Sequence, residues 1–114
     1  MKPRILVTSA AGTTGIPTTL GLLEKGFRVR AFVRRRDARS QRLHDAGAEL
    51  FVGNQYDYRD VRDALNDVQR AHVCPPPGPN TADFAAVFVT AAHEAQLEHV
   101  VTLSQPQHAH ILLS

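Results

Sequence analysis

Three groups of residues in this 114-residue chain have the types and spacing that hold phosphates and a nucleotide. The first is VTSAAGTTGIP (7–17), where an apolar run gives way to Ser9, Gly12 and Gly15. A pyrophosphate needs backbone amides aimed at it from a helix start, and a chain thin enough to approach closely. Gly12 lacks a Cβ beside the phosphates, Thr13 and Thr14 continue the turn, and Gly15 lets the helix pack near its strand. Ser9 stands where the tight turn ordinarily has a glycine. Its hydroxyl can add a phosphate or turn hydrogen bond, and the turn is expected to keep its φ negative. Binding is expected to be weakened by Ser9, not abolished.

The second group is Arg34-Arg35-Arg36, at the end of the second apolar run. A site for NAD(H) usually puts Asp or Glu there, on the ribose hydroxyls, whereas a guanidinium forks onto a 2′-phosphate. With no acid before Asp37, Arg34 and Arg35 point to NADP(H) over NAD(H). The third group is the loop ends: Asn54 is expected to meet the adenine amino group and Gln55 to lie beside its ring, while Cys74 and Pro75 border the nicotinamide ribose. Each group also has a plainer reading, as a structural turn, a solvated basic corner or an ordinary loop. A strand before the glycine turn and a helix after it are the context that separates the readings.

Reaction machinery is sparse. A Tyr acid with a Lys four residues on would make a hydride-transfer site, but the tyrosines are Tyr56 and Tyr58, followed at that spacing by Asp60 and Arg62. The lysines are Lys2 and Lys25. Ser104 reads as a strand-end polar residue. His108 and His110 lack a third metal ligand, and His93 and Glu94 read as a solvated helix face. Cys74 could be a thiol beside a cofactor, although a buried strand-end cysteine is the commoner case. No catalytic and no metal-binding residue is assigned.

The elements that must position these groups follow from periodicity. RILVT (4–8) is a buried strand, and Ile16, Leu20 and Leu23 then share one face of a helix stopped at Gly26. FRVRAFV (27–33) alternates at strand period. Asp37 caps a second helix ended by Gly47, AELFVG (48–53) is a third strand, and Asp57 or Asp60 caps a third helix through Val61, Ala64, Leu65 and Val68. AHVC (71–74) is a fourth strand stopped by Pro75-Pro76-Pro77. The longest helix spans roughly 81–98, and HVVTLS (99–104) is a fifth strand. Five alternations predict an α/β fold: a Rossmann-like parallel sheet of about five strands in order 3-2-1-4-5, with helices on both faces. Residues 1–104 form the dinucleotide-binding domain and 105–114 read as a tail.

A net charge of +2, without a basic face, argues against a nucleic-acid partner. A single cysteine excludes an internal disulfide and suits a reducing cytoplasm. No apolar run has signal-peptide or membrane-spanning length.

The segments ILVTSAAGTTGIPTTLGLL, VRAFVRR, AGAELFVGNQYD, CPPPGPN and EHVVTLSQ together resemble the NmrA-like, atypical short-chain dehydrogenase group, over about residues 4–105. That resemblance implies a Gly-x-x-Gly-x-x-Gly loop, matched at Gly12 and Gly15 and broken at Ser9. It assigns Arg34 to NADP(H), puts Gly53-Asn54 where the family has Gly-Asp, and aligns Ser104 with a catalytic serine. It implies NADPH-dependent reduction of quinones, carbonyls or imine-like substrates, or redox sensing by NADP binding without turnover. It also implies a larger sheet followed by a substrate region, so the chain reads as truncated. The outer sheet face around strands four and five is then expected to be uncovered and to favour self-association.

Overall fold

Arg4–Val7 (β1) lies at the centre of the sheet, with Ile5, Leu6 and Val7 essentially inaccessible to solvent on both faces. The computed structural model describes residues 2–76, 78, 80–103 and 111–113. After β1 come Gly15–Glu24 (α1), Arg28–Val33 (β2), Ala38–Asp45 (α2) and Glu49–Val52 (β3). Tyr58–Ala64 (α3), Arg70–Val73 (β4), Thr81–Ala95 (α4) and His99–Thr102 (β5) complete the alternation. The five strands are parallel in the order β3-β2-β1-β4-β5. A sixth strand, Ile111–Leu113 (β6), pairs antiparallel with β5. It lies in the segment read from sequence as a tail, where three residues carry too little pattern to announce a strand.

The stops and caps behave as their chemistry dictates. Gly26 (φ +87°) and Gly47 (φ +113°) take the left-handed conformation that ends α1 and α2. Asp37 caps α2, with its side chain accepting the amides of Arg39 and Ser40 while the Ser40 hydroxyl accepts the Asp37 amide. Asp57, not Asp60, caps α3. The longest helix stops at Ala95, three residues short of the expected end, because Gln96 turns left-handed at φ +54°.

Two cores sandwich the sheet. Val29, Ala31 and Val33 of β2 join Val7, Leu43 and Cys74 on the α1–α2 side. Leu6 and Phe32 join Val61, Phe84, Phe88 and Val100 on the α3–α4 side. The strand period of β2 is thus real, but its polar face is not solvated: Arg30 is only 9% exposed. Its Nη1 donates to the carbonyls of Ala64 and Asn66 at 2.7 Å each, and its Nε lies 3.2 Å from Glu49 Oε1. Arg30 thereby fastens the end of α3 to the sheet. Arg30→Met keeps the apolar stem and orphans two carbonyls, so the urea midpoint should fall by an equivalent of about 2–3 kcal/mol.

β1 and β4 are joined by more than their ladder. The Thr8 hydroxyl donates to the Cys74 carbonyl at 2.9 Å and accepts the Cys74 amide at 2.9 Å, both inside the protein. That pair closes the seam at the carboxyl end of the sheet, where the chain order reverses.

Candidate functional site

Beyond the carboxyl ends of β1, β2 and β3 lies a cavity of about 640 Å³. Its size suits part of a cofactor, and its place beside the reversal between β1 and β4 is where open α/β sheets bind ligands. The turn after β1 contributes Ser9, Ala11 and Gly12. The corner between β2 and α2 contributes Arg34, Arg35, Asp37 and Arg39, and the loop after β3 contributes Asn54, Gln55 and Tyr56. Pro76 closes the flank beyond β4.

Ser9 overturns one expectation. Its φ is +48°, in the left-handed region, not negative. The Ala10 amide must reach the Phe32 carbonyl at 3.1 Å and the Gly12 amide the Ser9 carbonyl at 3.0 Å, so the chain reverses immediately after Thr8. A side chain in that conformation costs roughly 1–2 kcal/mol. Gln55, 7% exposed, offsets this: its Oε1 accepts the Ser9 amide and its Nε2 donates to Ser9 Oγ at 3.0 Å. Gln55 therefore forms part of the wall, bound to the glycine turn, and is not a free side chain awaiting a base.

The two glycines differ in what they tolerate. A Cβ on Gly15 would stand 2.1 Å from the Ser9 carbonyl oxygen and 2.7 Å from Ala10 Cα. On Gly12 it would stand 3.2 Å from the same oxygen. Gly15 thus packs α1 against the turn, and Gly12 lines the cavity. Thr13 is exposed and Thr14 is the N-cap residue of α1, with no side-chain cap bond; neither lines the cavity.

At the arginine corner the guanidiniums divide. Arg35 Nε lies 3.4 Å from Asp37 Oδ2, and Arg39 Nη2 lies 3.9 Å from the same oxygen. Arg34 is exposed, lines the cavity, and has no hydrogen bond or ion pair among the described residues. The Asp37 carboxyl is held below its ordinary range, chiefly by the Ser40 amide and further by Arg35 and Arg39. Across the cavity, Asn54 Oδ1 accepts the Tyr56 amide at 2.9 Å, while its own amide donates to Asp60 Oδ2 at 2.8 Å. Asp60 thus brings a carboxylate behind the turn from the first turn of α3.

Cys74 and Pro75 do not line the cavity; Pro76 does. Cys74 is 2% exposed, and burial pushes its thiol from 9.0 up to about 11. Because the folded value is raised, the associated stability is complete below pH 9 and lost as pH rises through 11. The native chain should therefore resist iodoacetamide at pH 8 and label rapidly only in denaturant, as intact-mass spectrometry would show. Tyr58 lies on α3, where its hydroxyl bonds Glu94 and its ring meets Arg62; the Glu94 bond raises the phenol further from neutrality. Ser104, Pro77, His108 and His110 fall outside the described residues.

Asp37, Arg39 and Tyr56 are the polar site residues that spacing alone does not supply. Asp37 is legible only as a cap, yet a cap at the end of β2 necessarily sits on the rim. Arg39 follows from it, one position inside the helix that the cap starts.

Comparison with known proteins places this geometry. Sterol demethylase protein B of Methylococcus capsulatus is 39% identical over 67 residues, covering 59% of this chain and 20% of that protein. The triphenylmethane reductase of Citrobacter sp., solved with NADP(H), superposes with a TM-score of 0.74 at 24% identity, over 88% of this chain and 37% of that one. The NADPH-dependent quinone oxidoreductase of Escherichia coli, solved with NADPH, gives 0.73 at 21% identity, over 86% and 35%. At such identities the likeness establishes the fold. The chain spans between 34% and 50% of the length of these and similar solved chains. The sequence profile of the NmrA-like family matches residues 1–111, from β1 through the arginine corner to β5, and by that match the chain belongs to the NmrA-like family.

Proposed function

We propose that this chain binds NADP(H) on the carboxyl rim of its sheet and forms the cofactor-binding part of a reductase. The observation that carries the reading is one cavity faced both by the Ser9–Gly12 turn and by the Arg34 guanidinium, which has no partner among the described residues. The residues fit a dinucleotide: Gly12 lines the cavity without a Cβ, Gly15 lets α1 start close against the turn, and the start of α1 offers amides to an anion. In this reading the turn through Thr14 holds the pyrophosphate, Arg34 holds the 2′-phosphate, and Asn54 and Tyr56 border the adenine. Bound nicotinamide supplies a hydride donor or acceptor. The protein's part is to fix its position and exclude water.

The substrate class is a quinone, carbonyl or imine-type acceptor, as the family resemblance implies and as one neighbour's name, a quinone oxidoreductase, supports for quinones, with substrate contacts from residues outside this chain. A non-catalytic NADP(H) sensor is the second reading, favoured by Asp60 and Arg62 standing where a Tyr-x-x-x-Lys pair would need lysine. Turnover of NADPH with a quinone panel would sink it. A chain without activity of its own is the third, with self-association through the outer face; Val89 on α4 is 57% exposed. We place the protein in the cytoplasm on its lone buried thiol. No helix among the described residues is long and apolar enough to cross a membrane.

The test is thermal unfolding with NADPH and, separately, NADH. A ligand that binds only the folded state adds about 2.7 kcal/mol at a hundred times its Kd. A concentration-dependent rise in the midpoint, larger for NADPH, is expected; no shift with either overturns the proposal.

A further inference from the structure

The corner between β2 and α2 holds three arginines on the cavity and one carboxylate among them. Asp37 Oδ1 is committed to the start of α2, accepting the Ser40 amide at 3.0 Å and the Arg39 amide at 3.1 Å. Its Oδ2 faces the guanidiniums of Arg35 at 3.4 Å and Arg39 at 3.9 Å. One carboxylate thus occupies a place where a phosphate would find two guanidiniums and a helix start, and of the three arginines on the cavity Arg34 alone has no partner among the described residues.

We propose that Asp37 is a specificity-determining residue: an internal competitor for the 2′-phosphate that restrains the preference of this site for NADP(H) over NAD(H). The inference rests on the proposed dinucleotide site and adds a regulator of its selectivity. A phosphate arriving at Arg34 meets a fixed negative charge three residues along the same corner. It gains Arg35 and Arg39 only by drawing them from Asp37. An uncharged ribose hydroxyl meets neither penalty. The Asp37 side chain is 29% exposed, so solvent screens the interaction without abolishing it.

Asp37→Asn separates charge from capping, because Asn caps a helix about as well as Asp. By calorimetric titration of the whole chain, NADPH should bind the variant about three- to tenfold more tightly, the scale of one screened charge. NADH should stay within about twofold. In the wild type, Arg35→Gln should cost NADPH affinity much less than Arg34→Gln, because Asp37 already occupies Arg35. In the Asp37→Asn background, the Arg35→Gln loss should grow. NADPH affinity unchanged or weaker in a folded Asp37→Asn chain would overturn the proposal, as would equal losses for Arg35→Gln and Arg34→Gln. The arginine comparison decides even if Asp37→Asn does not fold. Wild type that binds neither dinucleotide removes the site itself. Wild type that prefers NADPH while Asp37→Asn shows no gain removes only the role of Asp37.

Discussion

Gly15→Ala should leave this chain unfolded, or short of its wild-type stability by about 4 kcal/mol, with cofactor binding lost in either case. The added carbon would lie 2.1 Å from the Ser9 carbonyl oxygen and 2.8 Å from the Ala10 carbonyl carbon. Both are backbone atoms, so no rotamer change makes room. The turn cannot retreat easily, because the Ala10 amide is tied to Phe32 of β2 and the Ser9 amide to Gln55. Relief would require α1 to lift from the sheet, stripping Ile16 and Leu20 from the core they pack against. Ordinary overpacking costs about 1–3 kcal/mol; a contact this short against fixed backbone lies beyond that range. Gly21, in the middle of α1, is the control. Nothing lies within 4 Å of a Cβ there, so Gly21→Ala should stabilise by about 0.5–1 kcal/mol. Urea denaturation of the two variants should move in opposite directions. Equal, small effects would mean that the turn is not packed as described.

Arg34→Glu should lower NADPH affinity by about a hundredfold, equivalent to about 2.7 kcal/mol, and leave NADH within about threefold. The charged hydrogen bonds of a guanidinium to phosphate contribute about 1.5–3 kcal/mol, and a carboxylate in its place adds repulsion. Arg34 has no ion pair or hydrogen bond among the described residues, so its replacement removes no fold-holding contact. The unligated unfolding midpoint should therefore stay within about 2 °C of wild type, as for other surface substitutions. A parallel loss of both cofactors would assign Arg34 to general steering of anions. No loss of either would return the arginine corner to a solvated turn.

The sheet order was legible because its determinants are local. A β-branched run, a helical face and a glycine stop recur with little ambiguity in the first seventy residues. Gly26 and Gly47 mark ends that their positive φ confirms. What sequence left unread is nonlocal. Arg30 looks like the solvent side of an alternating strand, and only the carbonyls of Ala64 and Asn66, more than thirty residues on, make it interior. Gln55 reads as a loop residue free to meet a base until the left-handed Ser9 gives it a partner forty-six residues earlier. Asp37 announces itself as a cap, but its commitment to Arg35 and Arg39 depends on side-chain directions that no spacing reports. β6 is the extreme case, since its pairing with β5 is set by the partner strand and not by any pattern in QPQHAHILLS.

The Thr8–Cys74 pair has a consequence for the order in which the protein is made. Among the described residues, every one lining the cavity except Pro76 belongs to the first fifty-six of the chain. β1, β2 and β3 can therefore align, and the turn can take shape, while β4 is still inside the ribosome. The other flank of β1 stays bare during that interval, at synthesis rates of about 5–20 residues per second. Only when residue 74 emerges can the Thr8 hydroxyl find both its partners, sixty-six positions away. A nascent chain paused before β4 would expose Leu6 and Val7 along an open edge. Its hazard is association with another nascent chain, and the arrival of β4 ends it.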